Sequence, residues 1–359
     1  MKERVEKARA AIIGLGRIAS LLEEDMRREK PCTHAGAISS NQDCILVGGC
    51  DIAGERRRLF AEKWGVPVYV DAAEMIRSQS PQILVIATHP DSHYEYCRLA
   101  ADSGVPVLIC EKPLADSLRA ARKIAALEEQ GVTIITNHER RYSADYIKAK
   151  KILASEELGA LLSVRAVLYM GKGMGSSGAI EPSVRRLLDV LWHDGTHLAD
   201  ALMFLTGSVL KHRRRWGAQP DAPAGTVWLE AELPRKPAKQ RDSLSARTGA
   251  IPPAPLPVVI EVGAGRDYIA FEMEFSCANG RLRIGNGIFE VWQSDESPYA
   301  EKFRSLKQTV RSFAGPTGYF ANMIADAVSC VREPGRKPVS SATDGLAVIE
   351  YLHSVGAWR

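Results

Sequence analysis

No pair of cysteines stands at C-x-x-C spacing in this chain, and no histidine pair follows one at zinc-finger distance, so the patterns of a structural zinc module are missing. The seven cysteines, Cys32, Cys44, Cys50, Cys97, Cys110, Cys277 and Cys330, are odd in number and scattered. They do not form a disulfide framework, and several lie in apolar runs, which suits reduced thiols packed as small core residues. No apolar run reaches the length of a membrane span, and the charged opening MKERVEKARAAIIGLGR holds an apolar segment far too short for a signal region. The expectation is a cytoplasmic protein with no membrane partner. A large excess of one charge is absent too: 47 basic against 43 acidic residues leave +4 over 359 positions, which gives no reason to expect nucleic acid. The basic run KHRRRW, Lys211 to Trp216, reads as a strand with solvated side chains. There is no internal repeat.

What is present points to a soluble globular chain of two domains, since 359 residues exceed one typical domain and 45% are hydrophobic. Over the first 140 or so residues, short apolar runs alternate with amphipathic stretches. The runs are Ala10-Ile13, Ile45-Cys50, Val66-Val70, Ile83-Ala87, Val107-Cys110 and Val132-Thr136; the helical stretches between them include Glu55-Trp64, Ser92-Ser103 and Ser117-Gln130. Uninterrupted apolar strands separated by helices predict an α/β domain with a doubly wound parallel sheet. After Tyr142 the texture changes. A helix at Asp145-Glu157, a strand at Leu161-Met170, a glycine-rich loop GKGMGSSGA and a helix at Val184-Leu205 lead into a mostly strand-like region from Val209 to Trp292. That region is interrupted by the long surface loop PRKPAKQRDSLSARTGAIPPAPLP and carries an Asn279-Gly280 hairpin turn. Helices at Tyr319-Val331 and Thr343-Gly356 close the chain. The second half therefore reads as α+β with a mostly antiparallel sheet.

Four places carry chemistry. Gly14-Leu15-Gly16-Arg17-Ile18-Ala19 fits G-x-G-x-x-G/A directly after a strand and at the start of a helix, a turn whose backbone approaches a dinucleotide pyrophosphate. The second strand ends in Asp51, where a carboxylate accepts hydrogen bonds from a ribose diol and repels a 2′-phosphate, so the expected cofactor is NAD, with NADP left open. Arg56, Arg57 and Arg58 follow closely, either as solvated residues or as receivers of a phosphate. The distance from Gly14 to Asp51 exceeds the usual one because of the inserted LLEEDMRREKPCTHAGAISSNQD. At the fourth strand's exit, Thr88, His89 and Pro90 fall where a cofactor would lie; Asp91 or Ser92 would cap the next helix, and His93 is either a packing residue or part of the site.

The fifth strand runs into Glu111-Lys112-Pro113. Buried charges are costly unless used, so Lys112 at this carboxyl edge reads as a donor to a substrate oxygen, with Glu111 orienting it or lining the cofactor site. In LLDVLWHDGTHLADALMFLTG, Asp194, His197 and Asp200 share one helical face. His197 suits a general base and Asp194 an orienting carboxylate, or Asp194 caps the helix and His197 is packed. A zinc reading of His193 and His197 lacks a third ligand and the glutamate of H-E-x-x-H, so no metal is expected.

Together, the glycine turn at Gly14-Ala19, ATHPDSHYEYC, Glu111-Lys112-Pro113, NHERRYS at Asn137-Ser143 and DGTHLAD at Asp194-Asp200 resemble the Gfo/Idh/MocA oxidoreductase family. Members include glucose-fructose oxidoreductase and inositol dehydrogenase. The resemblance spans nearly the whole chain. It implies a Rossmann domain over residues 1–142 that holds NAD(P) through Gly14, Gly16, Arg17, Ile18, Asp51, Thr88, His89, Pro90, Glu111 and Lys112. It further implies a carboxy-terminal domain over 143–359 with an open sheet that builds a homodimer or homotetramer, the closing helix 343–356 returning to the first domain. The implied catalytic group is Lys112, Asp194 and His197, and the substrate a sugar, cyclitol or related polyol, with Arg140, Arg141, Tyr142, His193 and Asp194 placed to contact it. Two alternatives remain on the same resemblance: an NAD-dependent glycosidase working by transient oxidation, and a cofactor-binding regulator without catalysis. The chain departs from the family pattern at Trp192-His193, at His138-Glu139, and in the inserted loop, where His34 either reaches the cofactor or caps a helix.

Overall fold

The computed structural model describes residues 6–171, 190–217, 226–234 and 254–356, and these gather into two compact units. The first draws on Met1–Ile147 and Gly315–Glu350, the second on Lys148–Ala314 and Tyr351–Trp358. Residues 315–342, assigned from sequence to the carboxy-terminal domain, are thus grouped with the first unit, together with 343–350 of the closing helix. Among the described residues no helix is long and apolar enough to cross a membrane.

In the first unit six strands, β1 (Ala8–Ile13), β2 (Cys44–Cys50), β3 (Val68–Tyr69), β4 (Ile83–Ile86), β5 (Val107–Cys110) and β6 (Thr133–Thr136), form one sheet in the order β3-β2-β1-β4-β5-β6. Every pairing is parallel. β4 and β5 are buried at each position, as expected where helices cover both faces. The strand order reverses between β1 and β4, the switch point at which open α/β sheets bind ligands. The helix Tyr319–Arg332 contributes Phe320, Met323, Ile324, Ala327 and Val328 to the same core as Ile12, Val85 and Ile109. Ser340 and Ser341 then line the edge strand: Thr136 N–H donates to Ser340 O at 2.9 Å and Thr136 Oγ1 to Ser341 O at 3.1 Å.

The helix expected to follow the glycine turn is interrupted. Ser20 N–H donates to Gly16 O at 3.1 Å in helical fashion, and then His34 N–H donates to Ile18 O at 3.2 Å and Ala35 N–H to Ala19 O at 2.9 Å. Those two carbonyls are the ones that residues 22 and 23 would use in an unbroken helix. Residues 22–33 are therefore looped out, and His34 stands where residue 22 would be, opening the helix His34–Ser40. Without these twelve residues the 37 positions from Gly14 to Asp51 become 25, close to the about twenty usual for a dinucleotide fold.

The loop is itself well tied. Glu23 accepts from Cys32 N–H at 3.1 Å and Thr33 Oγ1 at 2.6 Å, and Gly36 leaves the space its carboxylate fills. Glu29 accepts from Gly318 N–H at 2.7 Å and from Thr317 N–H and Oγ1 at 2.9 Å. A remote carboxylate thus satisfies amides left open at the start of helix Tyr319–Arg332.

The second unit holds an eight-stranded sheet. Its strands are β7 (Leu161–Gly171), β8 (Lys211–Gly217), β9 (Thr226–Leu233), β10 (Leu256–Arg266), β11 (Ala270–Cys277), β12 (Gly280–Gly285), β13 (Ile288–Glu296) and β14 (Arg304–Val310), in the order β14-β13-β12-β11-β7-β10-β9-β8. All pairs are antiparallel except β7 with β10. Alternate residues are buried along β9 and β11, while the other face carries cross-strand ion pairs such as Arg283 with Glu272 at 3.1 Å and with Glu290 at 3.0 Å. The basic run of Lys211–Trp216 is the edge strand β8, exposed almost throughout, and its Arg213 and Arg214 pair with Glu232 and Glu230 of β9. Charge on an edge strand discourages pairing with another chain. The hairpin between β11 and β12 turns on Ala278 and Asn279, one position earlier than expected, with Gly280 already in the ladder opposite Cys277. There Gly280 has no room for a Cβ, which would press on Trp292 O and Leu158.

Apart from Gly171, the glycine-rich loop lies outside the described residues, as do 235–253 of the long surface loop and the start of the helix expected from Val184. All seven cysteines are described, buried and free.

Candidate functional site

The first residue beyond each of β1, β2, β4, β5 and β6 remains bonded to the neighbouring strand. Gly14 N–H donates to Cys50 O at 2.8 Å, Asp51 N–H to Tyr69 O at 3.2 Å, Ala87 N–H to Ile13 O at 2.8 Å, Glu111 N–H to Ile86 O at 3.0 Å and Asn137 N–H to Cys110 O at 2.7 Å. Gly14, Asp51, Ala87, Glu111 and Asn137 consequently form one row along the carboxyl edge. Four of the five stand in segments singled out from sequence as bearing chemistry; Asn137 was noticed only within the NHERRYS resemblance. Its signal was available, because it directly follows an apolar run as Glu111 does.

The glycine turn closes tightly on the fourth strand's exit. Gly14 has φ +87, and a Cβ there would come within 2.5 Å of Ala87 O and 3.0 Å of Thr88 Cγ2, so only glycine fits. At Gly16 a Cβ would meet only Arg56 Nη1, at 3.9 Å. One glycine packs the turn and the other leaves its flank open, the cradle a dinucleotide pyrophosphate needs. Arg17 is exposed and Ile18 half-buried beside it.

Asp51 is 6% exposed and serves the glycine turn. Its Oδ2 accepts from Leu15 N–H and its Oδ1 from Ala53 N–H, both at 2.8 Å. Arg56 Nη1 lies 3.5 Å from Oδ2, and Arg57 donates to Asp51 O at 2.6 Å. Arg58 turns instead to Glu55 and Glu62 on its own helix. Of the three arginines, two reach Asp51 and one is a solvated helix residue.

At the fourth strand's exit, His89 is exposed and Thr88 and Pro90 are half-buried. Ser92 Oγ lies 2.8 Å from both Thr88 Oγ1 and His89 O and does not cap the next helix, His93–Asp102. His93 is buried, with Nε2 3.2 Å from Thr88 O and Nδ1 3.2 Å from Leu114 O. It bridges the loops that follow β4 and β5. Burial holds its pKa below the ordinary 6.5, despite the carbonyls of Thr88 and Leu114 and the charge of Glu111.

Glu111 is 7% exposed. His34 Nε2 lies 2.7 Å from its Oε1, Asn137 Nδ2 donates to the same oxygen at 2.5 Å, and Lys112 N–H donates to Oε2 at 3.3 Å. Burial alone would raise this carboxyl's pKa. The hydrogen bond and charge of His34, with Asn137 and the Lys112 charge, outweigh it and hold the group below the usual carboxylate value. Lys112 itself is half-buried, joined to Pro113 by a cis peptide bond.

Arg141 and Tyr142 are buried. Arg141 Nη1 is 3.1 Å from Asp344 Oδ1 and donates to Val339 O at 3.2 Å; Tyr142 Oη donates to Asp326 Oδ2 at 3.1 Å. These contacts fasten the β6 exit to the residues around the two closing helices. Arg140 pairs with Glu139 at 2.7 Å.

In the second unit, residues 190–193 are helical, a turn falls at Asp194, and a helix runs over Gly195–Thr206. Asp194 holds the N-cap position without a side-chain cap bond, which removes the capping explanation for its carboxylate. His197 N–H donates to Asp194 O at 3.1 Å. Asp194 and His197 are half-buried, His193 is exposed, and Asp200 is buried one turn on. Of the three residues expected to share a helical face, His197 and Asp200 lie in this helix and Asp194 stands at the turn before it.

A parallel sheet with this order, a glycine turn fitted against β4 and an acidic residue closing β2 together define an NAD-binding Rossmann fold. Residues 8–138 match the family model described as an oxidoreductase family with an NAD-binding Rossmann fold, GFO_IDH_MocA. Over those residues the chain is identified with the NAD-binding part of the Gfo/Idh/MocA family. Among known proteins, inositol 2-dehydrogenase of Rubrobacter xylanophilus is 29% identical over 186 residues, 51% of this chain and 48% of that protein. D-glucoside 3-dehydrogenase of Escherichia coli is 25% identical over 201 residues, 55% and 54% of the two chains. The chain therefore matches about half the length of these Gfo/Idh/MocA relatives. The crystal structure of myo-inositol 2-dehydrogenase from Lactobacillus plantarum superposes with a TM-score of 0.68 at 20% identity, over 98% of this chain and 97% of that one, which shows a shared fold.

Proposed function

We propose that this protein is an NAD-dependent oxidoreductase acting on a secondary alcohol, or the matching ketone, of a sugar, cyclitol or related polyol. The observation that carries the reading is the carboxyl-edge row, in which the glycine cradle, Asp51 and Glu111-Lys112 stand at the ends of β1, β2 and β5 of one parallel sheet. The inositol and glucoside dehydrogenases among the relatives support the substrate class.

In this proposal the cofactor lies over Gly14, Gly16, Arg17 and Ile18, with its ribose at Asp51 and contacts from Thr88, His89 and Pro90. When bound, NAD supplies a two-electron acceptor for the hydrogen on the carbinol carbon. His197 withdraws the hydroxyl proton as the general base, or returns it in the ketone direction. Lys112 is assigned to donate to a substrate oxygen and lower the cost of negative charge on it, and Asp194 to fix the substrate or the imidazole. His193 is assigned to substrate contact, whereas Arg141 and Tyr142, expected from sequence to share that role, are buried and tied to Asp344 and Asp326 and are assigned to holding the β6 exit in place. Holding the reacting groups in place supplies several kcal/mol of the barrier, about 7 to 11 in the best model cases.

A screen of cyclitols and sugars with NAD and NADP, followed by nicotinamide absorbance, tests the reading. Steady NADH production with at least one polyol is expected, falling by about 10² to 10⁴ in His197→Ala, the range of a lost general base. Sugar release from glycosides without net NADH would replace the proposal with a glycosidase. Tight NAD binding with no turnover of any substrate would replace it with a regulator.

A further inference from the structure

The insertion in the first helix delivers His34 to the carboxyl edge, where no local pattern announces a role. His34 opens the helix after the looped-out segment, Glu111 follows β5 and Asn137 follows β6, so three distant pieces of chain meet at one carboxylate. His34 is 0% exposed and Asn137 2%. Oε1 of Glu111 receives both side chains, and Oε2 receives the Lys112 amide. A buried carboxylate gripped by two buried side chains is a poor way to gain stability, since an apolar trio of like volume usually does as well or better. The grip is also incomplete: His34 Nδ1 and Asn137 Oδ1 are buried and meet no hydrogen-bonding group among the described residues. What the arrangement does achieve is to hold the first residue after β5 by its side chain, at the step where the chain turns into Lys112.

We propose that His34 and Asn137 are positioning residues that act on Lys112 through the Glu111 carboxylate. The inference rests on the reading of Lys112 as the substrate-facing lysine. Glu111 fixes the Lys112 backbone through its amide and faces the Lys112 charge. With the grip gone, the carboxylate turns and Lys112 moves, while the sheet beneath, bonded through the main chain, stays. The ring of Phe320, whose centre lies 5.1 Å from that of His34 with the planes at 83°, packs the imidazole but offers it no hydrogen bond.

Two substitutions separate hydrogen bond from packing. His34→Phe keeps a ring against Phe320 and loses the donor; His34→Gln loses the ring but places an amide N–H where Nε2 stands. The readout is the rate at which acetic anhydride acylates Lys112, measured by mass spectrometry relative to exposed Lys307 in the full-length protein. NADH binding and the melting temperature serve as checks on fold and cofactor site. His34→Phe is expected to change the relative Lys112 rate severalfold with NADH still bound, and His34→Gln to return it close to wild type. Asn137→Ala, which removes the second donor to the same oxygen, should act in the same direction should His34→Phe fail to fold. Where turnover is measurable, His34→Phe lowers kcat by about tenfold or more and leaves KM for NAD within about twofold, in keeping with a small misplacement of one reacting group. Unchanged Lys112 acylation in folded His34→Phe and Asn137→Ala overturns the proposal, as does a His34→Gln variant as altered as His34→Phe. Lys112→Ala tests the underlying reading separately: if it keeps full turnover while acylation responds as described, the grip on Lys112 stands and its catalytic role falls.

Discussion

On the proposed function, Asp51 carries two duties. Its oxygens accept from the Leu15 and Ala53 amides, and its charge, with Arg56 3.5 Å away, is assigned the response to a 2′-phosphate. Asp51→Asn keeps an acceptor for one amide and removes the charge, so NADPH affinity should rise relative to NADH by about tenfold, or about 1.4 kcal/mol. Arg56→Ala should weaken NADPH and leave NADH nearly unchanged; fluorescence titration of both nucleotides reads the two effects, and equal loss of both would contradict this division. His93 gives a pH prediction. Its folded pKa lies below the unfolded 6.5, so the unfolded chain binds the proton first. Its contribution to stability is complete above pH 6.5 and is lost as pH falls through the depressed folded value. The melting temperature should therefore decline on acidification from pH 6.5, before carboxylates titrate, and His93→Gln should flatten that part of the curve. Glu111 acts lower on the scale in the same sense: held below 4.5, it supports the fold above that value and ceases to as pH falls through its own pKa.

The looped-out segment has a stability role of its own at the scale of elements. Glu29 satisfies Thr317 and Gly318 at the start of a fourteen-residue helix, and hydrogen bonding there holds its carboxyl below the usual value in spite of burial. Glu29→Ala should cost about 0.5 to 2 kcal/mol, the range for a lost helix cap, measured by denaturant unfolding at neutral pH. The loss should vanish at a pH low enough to protonate the wild-type carboxyl. Strands were the most legible elements: β5 runs over the same residues, Val107–Cys110, that its apolar run predicts, because burial on both faces leaves no room for polar residues. The first helix was not legible, since its hydrogen bonds skip from Ile18 to His34 and no periodicity survives twelve intervening residues. The pairing of Glu111 with His34 was hidden for the same reason. The break at Asp194, inside a stretch read as one helix to Leu205, shows that a side-chain pattern fixes a face more readily than it fixes an interruption.

At the scale of the molecule, the first unit is built from both ends of the described chain. Helix Tyr319–Arg332 supplies Phe320, Met323 and Ile324 to the core beneath the cofactor sheet, although its own sequence says only that it is amphipathic and does not name the sheet it covers. A chain ending at Ala314 should therefore fail to bind NADH and should aggregate, because it exposes apolar residues of that sheet; a soluble, NADH-binding 1–314 fragment would show the helix to be peripheral. The interrupted first helix has the opposite character. Its two ends are joined as neighbouring residues of a helix are, so the length of the excursion between them is decoupled from where everything downstream lies. That point is a natural graft site: chain can be removed or added beyond Leu22 without altering the spacing of glycine turn and Asp51, provided that Glu29's hold on Gly318 is replaced.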